Sequence, residues 1–234
     1  MKRKRGFYTF VSFALLLPQF TSACISCNRL VREGIYGETF KENLLVLILG
    51  FSLIGIALFA VSKIWHAAEK KKSLVSLKIE HPAMAPLGIP AVVLGVGLGG
   101  FIDGIVFHQI LQWHEMFSAQ IDPTDYVGKS INMYWDGVFH FLCLIVVLIG
   151  IIMLWRLPNM HQINRSKRLL FGGLLMGWAI FNTLEGTLNH LLLKVHHVLE
   201  YTDEKTSADL IFLASSLLIF LIGLFMVNTL KVQR

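Results

Sequence analysis

Five long apolar stretches constrain this chain more than any other feature. They cover residues 44–65, 87–113, 133–155, 169–193 and 210–230. Each reaches the roughly 20 residues a helix needs to cross a bilayer. Each must be helical, because lipid cannot satisfy open backbone groups. Charged types make up only 15% of the 234 residues, against roughly 25% in a soluble domain. The sequence therefore predicts an all-α polytopic membrane protein and excludes a soluble globular or a disordered one. Trp65, Trp113, Tyr134, Trp135 and Trp155 fall near the ends of the stretches, as interfacial aromatics do.

The first 23 residues have a different character. Four basic residues, Lys2 to Arg5, precede a short apolar core, Phe7 to Leu17, and small residues Thr21-Ser22-Ala23 stand before Cys24. That order predicts a signal peptide over 1–23, with a retained signal anchor or a lipid on Cys24 as alternatives. Residues 24–43 then form an exoplasmic segment carrying Cys24-x-x-Cys27, readable as a redox pair, a soft-metal thiol site or a structural disulfide. With Cys143 as the third cysteine, no disulfide scaffold can be built. Cys143 lies in mid-helix and reads as packing.

Lys and Arg set the orientation. With the N-terminus inside, 15 of the 21 basic residues fall on cytoplasmic pieces: the start, residues 63–86 with the basic linker over 66–86 and its Lys70-Lys71-Lys72, the loop after Trp155, and a tail over 231–234. This satisfies the positive-inside rule. It puts the C-terminus in the cytoplasm and Cys24 and Cys27 outside, and it explains the net charge of +6 without nucleic acid. His66, His81 and His161 fall on the cytoplasmic side and read as solvated loop residues.

The chemistry is carried by an internal repeat. Asp103-Gly104-x-x-x-His108-x5-His114 recurs as Glu185-Gly186-x-x-x-His190-x5-His196, at an offset of 82 that also relates Gly95 to Gly177. The next helix begins Asp136-Gly137-Val138-Phe139-His140 after the first copy and Asp209-Leu210-Ile211-Phe212 after the second. This predicts a duplicated helical hairpin forming a four-helix bundle over 87–230, a parallel repeat about an axis along the membrane normal. The glycines at 95, 97, 99 and 100 follow no strand, so they predict close helix packing and not a nucleotide loop.

An intramembrane carboxylate costs about 2.5–3.5 kcal/mol even on insertion scales. Asp103 and Glu185 should therefore face the bundle interior and be paired. Residues eleven apart, as in Asp103/His114 and Glu185/His196, share a helix face. Residues five apart, as in Asp103/His108, lie about 140° apart on an ideal helix, so both look inward only across a broad face or a local bulge.

Imidazole with carboxylate in a helix bundle is a metal-site composition. The candidate ligands are Asp103, His108, His114, Asp136, His140, Glu185, His190, His196 and His197, near the outer face. Their imidazole content favours copper, with a di-iron or zinc site next, serving a redox enzyme or metal handling. The alternatives are haem with axial His108 and His190, an ion or proton transporter using Asp103 and Glu185, and a non-catalytic assembly factor docking another membrane complex. A homo-oligomer is compatible with each.

Three strings carry a resemblance: GLGGFIDGIVFHQILQWH at 97–114, WDGVFH at 135–140, and NTLEGTLNH at 182–190 with VHHV at 195–198. They closely resemble the bacterial membrane proteins grouped as domain of unknown function 2243, over about 87–230. The resemblance implies a four-helix membrane fold in the bacterial plasma (inner) membrane and names no reaction. Residues 1–86 lie outside it and read as a secreted-start segment with one membrane helix, fused in front.

Overall fold

The computed structural model describes residues 28–75, 84–157 and 164–229. The signal segment, Cys24, Cys27, His81, His161 and the C-terminal tail lie outside the described residues. Those described form helices and loops alone, and five of the helices are long and apolar enough to cross a membrane.

A short helix, α1 (Arg29–Tyr36), begins at Asn28, whose side chain accepts from the Leu30 amide. It gives the 24–43 segment an element the hydropathy pattern does not show. Val31 and Ile35 are buried in the cluster that includes Ile131 and Trp135. Helix α2 (Phe40–Val75) then runs ten residues beyond the apolar stretch at 44–65. Ala67, Ala68, Glu69 and Lys70 are good helix formers, so much of the expected linker continues the helix.

Two hairpins follow. The first is α3 (Ala85–Ile102), extended by a π-helical segment over Asp103–Ile110, and α4 (Tyr126–Trp155). The second is α5 (Lys167–Glu185), extended by a π-helical segment over Gly186–Leu192, and α6 (Lys205–Thr229). Helices α4 and α6 start several residues before their apolar stretches, because a polar first turn is invisible to hydropathy. In α4 the Asp125 side chain caps that turn by accepting from the Gly128 amide.

Helices α3 and α5 form the centre. The most apolar windows of their spans are 61% and 56% buried, against 11%, 17% and 22% for α2, α4 and α6, which leave most of theirs open to lipid. The pattern follows from their glycines. A Cβ on Gly95 would strike the Leu174 carbonyl, and one on Gly177 the Val92 carbonyl. Backbone thus meets backbone at the two positions the repeat equates, the small-residue packing membranes favour. Gly97 and Gly150 seat α4 on α3, while Gly172 and Gly223 seat α6 on α5. Cys143 lies against Gly100 as a buried packing residue. The C-terminal ends of α3 and α5 and the N-terminal ends of α4 and α6 meet at one end of the bundle, where the repeated acids and histidines lie.

Candidate metal centre

The π-helical segments resolve the five-residue spacing. In a π-helix the hydrogen bonds run i to i+5, so residues five apart sit one above the other. His108 Nε2 lies 3.2 Å from Asp103 Oδ2, and His190 Nε2 lies 3.0 Å from Glu185 Oε1. Gly104 marks the start of the first segment. A Cβ there would land on the His140 ring, so the small residue serves the packing of α4.

Beyond each π segment the chain reverses through one left-handed residue, Gln112 and Lys194, both at φ 50°. These positions are 82 apart. The Trp113 amide donates to Phe107 O and the Val195 amide to Asn189 O, closing the two ends in the same way. The reversal drops the following residues back into the bundle, so His114 and His196, which the sequence puts at the helix ends, are each only 1% exposed. The two loops lock to each other: the Ala119 amide donates to Val195 O and the Glu200 amide to Trp113 O.

The lock extends to the imidazoles, reciprocally. His114 Nδ1 donates to Val198 O and His196 Nδ1 donates to Met116 O, each at 2.9 Å. A carbonyl only accepts, so both rings carry a proton on Nδ1; His114 Nε2 is then left without a partner, while His196 Nε2 faces Glu185 Oε1. Burial, followed by the neighbouring His108, holds the His114 imidazole well below its usual range, in keeping with a neutral ring. His108 Nδ1 is fixed by Asp136 Oδ1 at 2.8 Å, and His190 Nδ1 lies 3.4 Å from Asp209 Oδ1. The two aspartates are fixed in turn by equivalent amides, Met116 to Asp136 and Val198 to Asp209.

All four rings therefore turn Nε2 toward one buried space. The rings follow one another in the order His108, His114, His196, His190, with centroids 4.5, 4.7 and 4.8 Å apart. Asp103 lies 3.9 Å from His114 Nε2, and Glu185 lies 2.8 Å from His196 Nε2. Donor atoms of His108, His114 and His196, and of Glu185, His190 and His196, lie within 4.8 Å of one another in each group. Asp103 Oδ1, Glu185 Oε2 and the Nε2 atoms of His108, His114 and His190 are buried without a hydrogen-bond partner. So many unsatisfied groups, at about 1–3 kcal/mol each, are costly unless something binds them.

The structure thus brings Asp103, His108, His114, Glu185, His190 and His196 together and places Asp136 behind His108. It does not bring in His140, whose ring stacks on Phe101 at 5.9 Å and whose Nε2 has no partner. His197 stands outside, its Nδ1 donating to Asp209 Oδ2 at 2.7 Å. An open polar cleft at this end is lined by His190, Lys194, His197, Asp203 and Asp209. Asp209, fully buried, is the residue the candidate set lacks. Its signal in the sequence is its match to Asp136 in the second copy. Glu115 and Lys129 pair beside the first half of the site, and burial raises the Glu115 carboxyl while the Lys129 ammonium opposes the shift.

The family model for domain of unknown function 2243, described as a predicted membrane protein, matches residues 90–230. No curated protein and no solved structure matches the chain. The chain belongs to this family of membrane proteins, and the match covers both hairpins from Pro90 onward and every residue of the cluster.

Proposed function

We propose that this membrane protein holds a transition-metal centre of two ions, one per hairpin, used in redox catalysis or metal handling. One observation carries the reading: six buried donors divide, by the repeat, into Asp103, His108, His114 and Glu185, His190, His196. Each triad is two imidazoles and one carboxylate. Each imidazole offers one Nε2; Nδ1 of His108, His114 and His196 is held by an acceptor, as metal-bound histidines require, and His190 Nδ1 faces Asp209 at 3.4 Å. Three protein ligands per ion leave open positions for solvent or substrate, the mark of a reactive site and not a structural one.

This donor set refines the choice of metal. Imidazole content alone favours copper. Two histidines and one carboxylate with open positions favour non-haem iron, with copper and zinc as the alternatives. Haem is disfavoured, because His114 and His196 stand between His108 and His190, where a macrocycle bridging that pair would lie. The positive-inside pattern and the signal-like start support placing the centre on the outer side of a bacterial inner membrane, with the C-terminus inside. The polar cleft beside His197 is then its aqueous access.

The test is elemental analysis with an absorption spectrum on the full-length protein, purified in detergent without chelators. The expected result is about two transition-metal ions per chain, as in two-metal sites, and no Soret band. Protein that carries no stoichiometric metal, and takes up none when iron, copper or zinc is supplied, overturns the proposal.

A further inference from the structure

A second opening reaches the same cluster from the side of the bundle. It lies between α2 and α5 and is narrow, with a cavity volume of about 20 Å³, room for one water-sized group such as a hydroxyl. Gly50, Phe51 and Ile54 of α2 and Leu184 and Leu188 on the other side give it apolar walls, and among its lining residues only Glu185 and Asn189 are polar. Gly50 lies ten residues into α2, about 15 Å along the helix, so the crevice is well inside the span and not at its end. Both walls belong to membrane-crossing helices, which makes lipid its natural approach.

The polar lining is specific in kind. Glu185 Oε2 and Asn189 Oδ1 are buried without a hydrogen-bond partner, and each residue is 7% exposed. The amide nitrogen of Asn189 is turned toward Glu185 Oε1 at 3.4 Å, which leaves its oxygen as the free atom. The crevice thus offers two unpartnered acceptors. Its complement is a donor on an apolar body. An ammonium is a poor candidate, because carrying it into the bilayer is expensive. A hydroxyl has no such cost.

We infer that this crevice binds a membrane-soluble molecule with a long apolar chain and a hydroxyl head group, the O–H donating to the Glu185 carboxylate beside Asn189. Helix α2 lies outside the residues the family model matches, so this site is made jointly by the family's domain and the helix in front of it. That the hydroxyl comes to rest beside a metal ligand depends on the proposed function; the binding itself does not.

The full-length protein in lipid nanodiscs tests this with a long-chain primary alcohol bearing a diazirine near its head, and the methyl ether of the same molecule. After illumination, label is mapped by peptide mass spectrometry. The alcohol should label 46–54 and 184–189 about tenfold more than the ether, the worth of one charge-assisted hydrogen bond. A Cβ at Gly50 meets only Leu188, at an ordinary 3.7 Å. Gly50→Leu should therefore leave the backbone intact, fill the crevice, and remove the labelling with metal content unchanged. Equal labelling by alcohol and ether, or label spread over the lipid faces of α4 and α6, overturns the inference in the wild-type protein alone. So does labelling that survives Gly50→Leu. Metal-free protein that still labels selectively removes the metal reading and leaves this one standing; metal-loaded protein without selective labelling does the reverse.

Discussion

The two hairpins carry the same donors on the same backbone, yet they hold them differently. In the first, Asp103 divides its oxygens, Oδ2 toward His108 and Oδ1 toward His114. In the second, the extra methylene of Glu185 lets Oε1 reach both His190 and His196, which leaves Oε2 free on the side where the crevice lies. Behind the rings, Asp136 serves His108 and the Met116 amide, whereas Asp209 is shared with His197. The position equivalent to His197 is Glu115, which turns instead to Lys129. The second half is the one a polar cleft and an apolar crevice both approach. Duplication has kept the two sets of His and carboxylate donors, and divergence has concentrated access on one of them.

The largest expected effect breaks the division into two triads. His114→Ala and His196→Ala should each remove the ion of their own hairpin, leaving about one per chain, and the double variant should carry none. Elemental analysis reads this directly. If either single change empties the protein, the four imidazoles form one shared site, joined through His196, which lies close to both groups.

Next in size is the support behind the rings. Removing a carboxylate that orients a ligating histidine typically costs 10–100-fold in metal affinity. Asp136→Asn should approach the upper figure and Asp209→Asn the lower, because the imidazole contacts are 2.8 and 3.4 Å. Each loss should be confined to one ion in a chelator competition. Equal losses at both ions from either variant would show that the halves are coupled and not merely alike.

How far the sequence carries depends on what each feature is made of. The helices, the repeat and the six donors are legible because they rest on composition and spacing. The burial of His114 and His196 is not, since it depends on a chain reversal at Gln112 and Lys194, residues with no particular turn preference. The π-helical segments are foreshadowed by the acid–x4–His spacing, which an ideal helix cannot reconcile with a shared inner face. Asp209 is obscured because the second hairpin's loop is shorter: Asp136 and Asp209 are 73 apart where the other equivalents are 82 apart. His140 is placed apart from the cluster for a different reason. Its i, i+4 relation to Asp136 holds on α4, yet the ring is taken up by Phe101 and Gly104.

That last point gives a smaller and sharper test. The equivalent of His140 in the second hairpin is Leu213, on the same 73-residue offset. His140→Leu should leave metal content unchanged. It should stabilise the protein by about 1 kcal/mol, since it replaces a buried, unpartnered Nε2 by an apolar group of similar size. Thermal unfolding in detergent, alongside elemental analysis, measures both. Loss of metal would restore His140 to the ligand set and make the first hairpin richer in donors than the second.

The smallest effect concerns the reversals themselves. Gln112 and Lys194 are exposed and share φ 50°, a conformation that costs a residue with a Cβ roughly 1–2 kcal/mol. Glycine removes that cost but loses about 0.5–1 kcal/mol through its freer unfolded chain. Gln112→Gly and Lys194→Gly should therefore each stabilise by about 0.5 kcal/mol, equally. A difference between the two, read as unequal shifts in thermal midpoint, would locate a side-chain role on one side. Lys194 is the place to expect it, because it lines the polar cleft that Gln112 does not.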